Sequence, residues 1–125
     1  IHPSNIEELP LISNSKMNGK NSINNYELGF AFRIIDAISL SDTKVRKNLA
    51  EINLRGRGDA ILTFTGLNFP VLFGKYDEIK KALILKELWS KIISDENYSS
   101  EVEYIDLRYK NKVFIGKRNK ELPGG

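Results

Sequence analysis

The chain contains no cysteine. That removes a disulfide framework, a thiolate nucleophile and a Cys-based zinc site together. Nor does any stretch approach the roughly 18 consecutive apolar residues that a bilayer span requires, and nothing resembles the charged-then-apolar head of a signal peptide. The sequence opens at Ile1 rather than at a methionine, so an upstream segment that tethers or addresses the protein is expected. Histidine is nearly absent too: His2 is the single one, beside Pro3 in a polar lead-in. A catalytic or metal-ligating imidazole needs rigid partners within reach, and that neighbourhood offers none. Charge of one sign is also lacking. The 19 Lys and Arg against 16 Asp and Glu leave +3, too small an excess to imply a polyanion-binding surface by itself.

What is present suits one domain. At 125 residues, 41% hydrophobic, the chain has material for a single core and no room for a second full domain. Residues 1–23 read as a lead-in. The run from Ser13 to Ser22 is dense in Asn, Ser and Lys, which compete for backbone hydrogen bonds and bury little, so a flexible loop is expected there. Leu9, Pro10, Leu11 and Ile12 form one apolar knot, expected as a short extended piece against the core.

From Asn24 the period becomes helical. Leu28, Ala31, Phe32, Ile35 and Ile38 fall on one side, Asn24 or Asn25 is the expected cap, and Phe30 and Ile34 imply cover on a second side. A hairpin follows. Ile52 and Leu54 alternate with polar residues, Gly56, Arg57, Gly58 and Asp59 make the turn, and residues 60–65 alternate again. A third strand is expected near residues 69–73, where Pro70 implies a sheet edge or a strand start.

Residues 76–95 read as a second helix with Ile79, Ala82, Leu83, Trp89 and Ile93 on its stripe, and residues 95–100 as a connecting loop. Two final strands, 102–109 and 112–116, are joined at Lys110 and Asn111, where Asn tolerates a left-handed backbone. Residues 118–125 form a polar tail. The expected fold is α+β: about five strands, mostly antiparallel, with two main helices packed on the sheet.

Catalytic signals are weak. Glu7 with Glu8, Asp77 with Glu78 and Asp95 with Glu96 are local pairs at loops or helix starts, where solvation and the helix dipole explain them. The glycines at 56, 58 and 66 lack the spacing of a phosphate-binding loop and serve hairpin turns. Arg55, Arg57, Lys110, Lys112, Lys117 and Arg118, with Tyr104 and Tyr109 to stack, form a basic rim that makes nucleic-acid binding the alternative reading. A small hydrolase of unrecognised type is a third. It would require a deep pocket of convergent polar groups that no spacing here places.

The last strands carry the informative pattern. The stretch from Tyr104 to Gly116, with Asp106, Leu107, Arg108 and Tyr109 leading into a short apolar strand, resembles the end of the β domain of the FtsQ/DivIB cell-division family. The upstream order is similar as well: Leu9, Pro10 and Leu11, then a helix, a meander ending near Gly74, and a helix opening at Tyr76, Asp77 and Glu78. The resemblance covers roughly residues 9–117. Two features depart from the family pattern: the polar loop at 13–22 is longer, and the final turn lacks glycine.

The resemblance implies that residues 24–117 are the β domain of a single-pass membrane protein, with a membrane helix and a POTRA domain upstream. It further implies a location on the extracytoplasmic face, no catalysis and no cofactor. Its implied partners are proteins of the FtsB/DivIC and FtsL type, through which such proteins help regulate septal cell-wall synthesis.

An antiparallel sheet ending in a free strand offers unpaired backbone groups to which a partner strand adds. The expected site is therefore Tyr104, Arg108, Tyr109, Val113, Phe114, Ile115 and Gly116. With a two-residue turn, Leu107 faces Phe114, so Ile105, Leu107 and Phe114 share the core face while Tyr104, Arg108, Val113 and Ile115 share the other. A slip of one residue exchanges the faces and exposes Phe114 instead. Arg108 either grips a partner carboxylate or pairs with Asp106.

Overall fold

Asn24 opens the first helix with a capping box. Its Oδ1 accepts from the Glu27 amide at 2.8 Å, and the Glu27 carboxylate accepts from the Asn24 amide at 3.4 Å, which satisfies two amides that a helix start otherwise leaves unpaired. The structure, a computed structural model, describes residues 9–14, 23–56 and 59–117. In chain order the elements are β1 (Leu11–Asn14), α1 (Asn25–Ser41), α2 (Thr43–Asn48), β2 (Leu49–Gly56), β3 (Asp59–Phe64) and β4 (Val71–Leu72), then α3 (Glu78–Ser94), α4 (Glu96–Glu101), β5 (Val102–Asp106) and β6 (Phe114–Lys117).

The six strands lie side by side in sequence order. β1 with β2 and β4 with β5 are parallel, and the other three neighbouring pairs are antiparallel. Parallel neighbours need a crossover, and the helices supply both. Ile52, Leu54, Ala60, Leu62, Phe64, Val71 and Ile105 point to one face of the sheet and join Phe30, Ile34, Ile38, Ala82, Leu85 and Ile92 from the helices in one core. The opposite face carries Glu51, Asn53, Ile61, Thr63, Leu72, Tyr104 and Phe114, none of them buried. Among the described residues the helices cover the sheet on one side only.

The α+β expectation holds, with adjustments. Ser13 and Asn14 belong to β1, which lies parallel to β2 in register Ser13 to Asn53, and Ser13 Oγ donates to the Glu51 carboxylate at 2.6 Å. The polar pair expected in a loop finds its hydrogen-bond partners in strand geometry. The rest of that stretch, 15–22, lies outside the described residues, as do His2, Glu7, Glu8, Arg57, Gly58 and the tail 118–125. Of the two positions expected for Pro70, the strand start is the one found, and the strand is a central one. Pro70 stands just before β4, where only its carbonyl is used, accepting from the Ile105 amide at 3.1 Å. Of residues 95–100, expected as loop, 96–100 belong to the short helix α4.

The helical stripes are rotated from expectation. In α3 the buried positions are Lys81, Ala82, Leu85, Trp89 and Ile92, whereas Ile79, Leu83 and Ile93 are about half exposed or more. Trp89 sets the rotation: its ring meets Phe64 edge-on at 5.3 Å, and residues 82, 85 and 92 follow at helical spacing. In α1 both Phe30 and Ile34 are buried, as second-side cover requires, and Phe32 turns outward at 43% exposure.

A candidate partner-binding edge

Asp106 decides how the last hairpin is built. Its Oδ1 accepts from the Arg108 amide at 3.0 Å and from Arg108 Nε at 2.9 Å, while Oδ2 accepts from Nη2 at 2.8 Å. A side chain that captures the amide two residues on turns the chain out of the ladder, so β5 stops at Asp106 rather than running to Tyr109. The Leu107 amide still donates to Leu72 O at 2.8 Å. The connection then occupies residues 107–113, with the Lys112 amide donating to Tyr109 O at 3.4 Å and Asn111 left-handed at φ 60°. The expected two-residue turn is replaced by this longer loop, although Asn111 takes the left-handed role read from its type.

The register moves by one residue in consequence. Asp106 lies opposite Phe114, Ile105 opposite Ile115 and Tyr104 opposite Gly116. Because side chains alternate, that single step exchanges the faces of β6. Phe114, expected in the core, is 48% exposed. Val113 and Ile115, expected outward, are partly buried against the core. Ile105 and Leu107 are buried as expected, and Tyr104 remains on the open face.

That face now holds a connected cluster. The Tyr109 and Phe114 rings meet edge-on at 5.3 Å, and the Arg108 guanidinium carbon sits 5.8 Å from the Tyr109 ring centre. Tyr104 lies flat over Gly116, where a Cβ would fall 2.1 Å from Tyr104 Cε2; an aromatic ring thereby covers the glycine opposite it. Tyr104, Asp106, Arg108, Tyr109, Lys112 and Phe114 enclose an open concavity of about 570 Å³. Arg108 resolves in favour of Asp106, and the pairing shows in both groups: its hydrogen bonds hold the Asp106 carboxyl below its ordinary range and raise the guanidinium above its own.

The backbone of β6 completes the site. The Ile105 and Leu107 amides point to β4, so by alternation those of Tyr104 and Asp106 point to β6 and are met by Phe114 and Gly116. Ile115 therefore directs both its amide and its carbonyl away from the sheet. Among the described residues no strand lies beyond β6.

Four contributors were not among the expected site residues: Asp106, Lys112, Gly74 and Lys81. Asp106 was legible in part, since positions two apart on a strand share a face. Gly74, at φ 71°, allows the chain to approach within 3.3 Å of Arg108 Cα from where its Cβ would stand. Of the carboxylate pairs considered for catalysis, Glu78 instead bridges Arg33 at 3.5 Å. Among the described residues no group of three or more His, Cys, Asp or Glu is placed to hold a metal ion.

A mixed α+β sheet domain, helices on one face and an aromatic-lined edge at its C-terminal strand, is the class these features define. Comparison with protein families matches residues 1–108 to the family model described as cell division protein FtsQ/DivIB, C-terminal. The chain belongs to that family, one of non-catalytic cell-division scaffolds, and its role is in cell division. The family is membrane-associated and works with divisome protein partners, while no helix among the described residues is long and apolar enough to cross a membrane. A search of curated proteins finds no match.

Proposed function

We propose that this domain is a non-catalytic divisome scaffold module that holds FtsB/DivIC- and FtsL-type partners by strand addition to β6, and through them helps regulate septal cell-wall synthesis. The observation that carries the reading is Ile115 in β6, whose amide and carbonyl are directed away from the sheet, with no strand beyond it among the described residues. An added strand satisfies such groups directly, and neighbouring side-chain pockets give it specificity. Here the pocket is the concavity between Tyr104, Tyr109 and Phe114, whose rings supply rigid apolar contact of the kind that concentrates binding energy.

Arg108 contributes differently from a free cation. Its Nε and Nη2 are committed to Asp106, so a partner carboxylate meets the remaining guanidinium donors of an already oriented group. The parent protein is read as a single-pass membrane protein with a POTRA domain before this one and its bulk on the extracytoplasmic face. A peptide from the C-terminal region of an FtsB/DivIC-type partner, titrated against wild type, Ile115→Pro and Arg108→Ala, tests the reading. Ile115→Pro should weaken binding at least tenfold, the equivalent of about 1.4 kcal/mol, and Arg108→Ala less. Equal affinity in all three proteins would sink it.

A further inference from the structure

The segment between β4 and α3 is held in an unusual conformation. Gly74, Tyr76 and Asp77 all lie in the left-handed region, at φ 71°, 68° and 54°. For Tyr and Asp that region is disfavoured by the Cβ and persists only where surroundings impose it. Asp77 stands at the start of α3 without a side-chain cap bond, so local capping does not account for it. Lys81 does. It is 6% exposed, and its Nζ donates to Phe73 O at 2.7 Å and to Lys75 O at 2.8 Å, gripping the backbone on both sides of Gly74.

Gly74 in turn abuts Arg108. A Cβ there would lie 3.0 Å from Arg108 Cγ, so the place of this backbone sets where the Arg108 side chain leaves the start of the 107–113 connection. The preceding helical residue reaches the same loop further along: Lys80 Nζ donates to Asn111 Oδ1, at the left-handed residue of the 107–113 connection. One turn of α3 thus touches the connection at its base through Gly74 and at its tip through Asn111.

We propose that Lys80 and Lys81 are positioning residues that pre-organise the 107–113 loop, and with it the aromatic cluster and the start of β6, for the partner. The function assigned to the loop rests on the strand-addition reading above; the two tethers do not. A loop held in its bound shape before encounter loses less freedom on binding, which strengthens affinity without adding a contact.

Amide hydrogen exchange on the isolated chain tests the tethers with no partner present. Lys81→Met should speed exchange on the order of tenfold at residues 74–77 and 107–113, a local opening, while Ile52 and Leu62 in the central strands keep their rates. Lys80→Met, at an exposed position, should speed only residues 109–112, by roughly threefold, and move the ring-current shifts of Tyr109 and Phe114. Lys80→Arg should restore both. Unchanged exchange in the loop, or a rise spread equally over the central strands, overturns the proposal. If Lys81→Met does not fold, the Lys80 variants decide alone: no change at residues 109–112, or no rescue by arginine, overturns it. A partner peptide that fails to bind wild type would remove the strand-addition reading while these exchange results stood.

Discussion

Proline scanning of β6 reads the register and the direction of the backbone in one experiment. At Ile115 the amide points away from the sheet, so proline removes no ladder bond. What it loses is part of a half-buried isoleucine, about 1 kcal/mol when full burial of such a side chain contributes about 1.5–3. At Gly116 the amide meets Tyr104 across the ladder. Proline there deletes that bond, leaves an acceptor unpaired and drives its ring into the space Tyr104 occupies, for about 3 kcal/mol or more.

The difference of about 2 kcal/mol corresponds to roughly 8 °C in Tm for a domain of this size. Urea unfolding followed by the fluorescence of Trp89, the one tryptophan, which packs on Phe64, measures both variants against wild type, treated as two-state. If Ile115→Pro proved as destabilising as Gly116→Pro, or more so, the assigned register and the outward direction of the Ile115 amide would both be wrong.

Three further outcomes are expected. The Asp106 carboxyl, held by Arg108 below its ordinary 3.8, gives stability that is complete above that value and fades as pH falls through the lower folded one; Asp106→Asn should flatten the acid limb of a stability-against-pH curve, and an identical limb in the variant would refute the pairing. Burial lowers Lys81 from 10.5, so between its folded value and 10.5 the unfolded chain binds more protons and stability rises with pH; that rise should be missing from Lys81→Met in the same measurement. Gly116→Ala should change stability by less than about 1 kcal/mol, because the Tyr104 ring is the mobile end of a part-exposed side chain and can swing aside, yet nuclear Overhauser contacts from that ring to residue 116 should vanish. Their survival would contradict the flat packing of Tyr104.

The difference between what was read and what was found has two physical sources. Alternation along residues 51–55 and 60–65, the helical period after Asn24, the cap expected at Asn24 or Asn25 and the left-handed Asn111 are all local, and each appears in the structure close to where its residue types put it. Stripe rotation is not local. Nothing in residues 78–94 announces that Trp89 will meet Phe64, and that meeting turns Ile79 and Leu83 to solvent while burying Lys81. The hairpin register failed for a different reason, a short-range one that alternation does not show. Tyr104 to Gly116 alternates equally well in either register, and the choice fell to the Asp106 carboxylate, which ends β5 early by taking the Arg108 amide.

The sequence by itself determined the α+β class and the FtsQ/DivIB family, and it pointed to the strand that ends the sheet among the described residues, because periodicity, turn residues and element order are properties of the chain alone. Only the folded structure decided which side chains of that strand lie on the open face of the sheet, and that Arg108 is anchored on Asp106. A side chain's face depends on register to a single residue, and hydrophobic alternation fits both registers equally until the Asp106 carboxylate ends β5 and the strands pair.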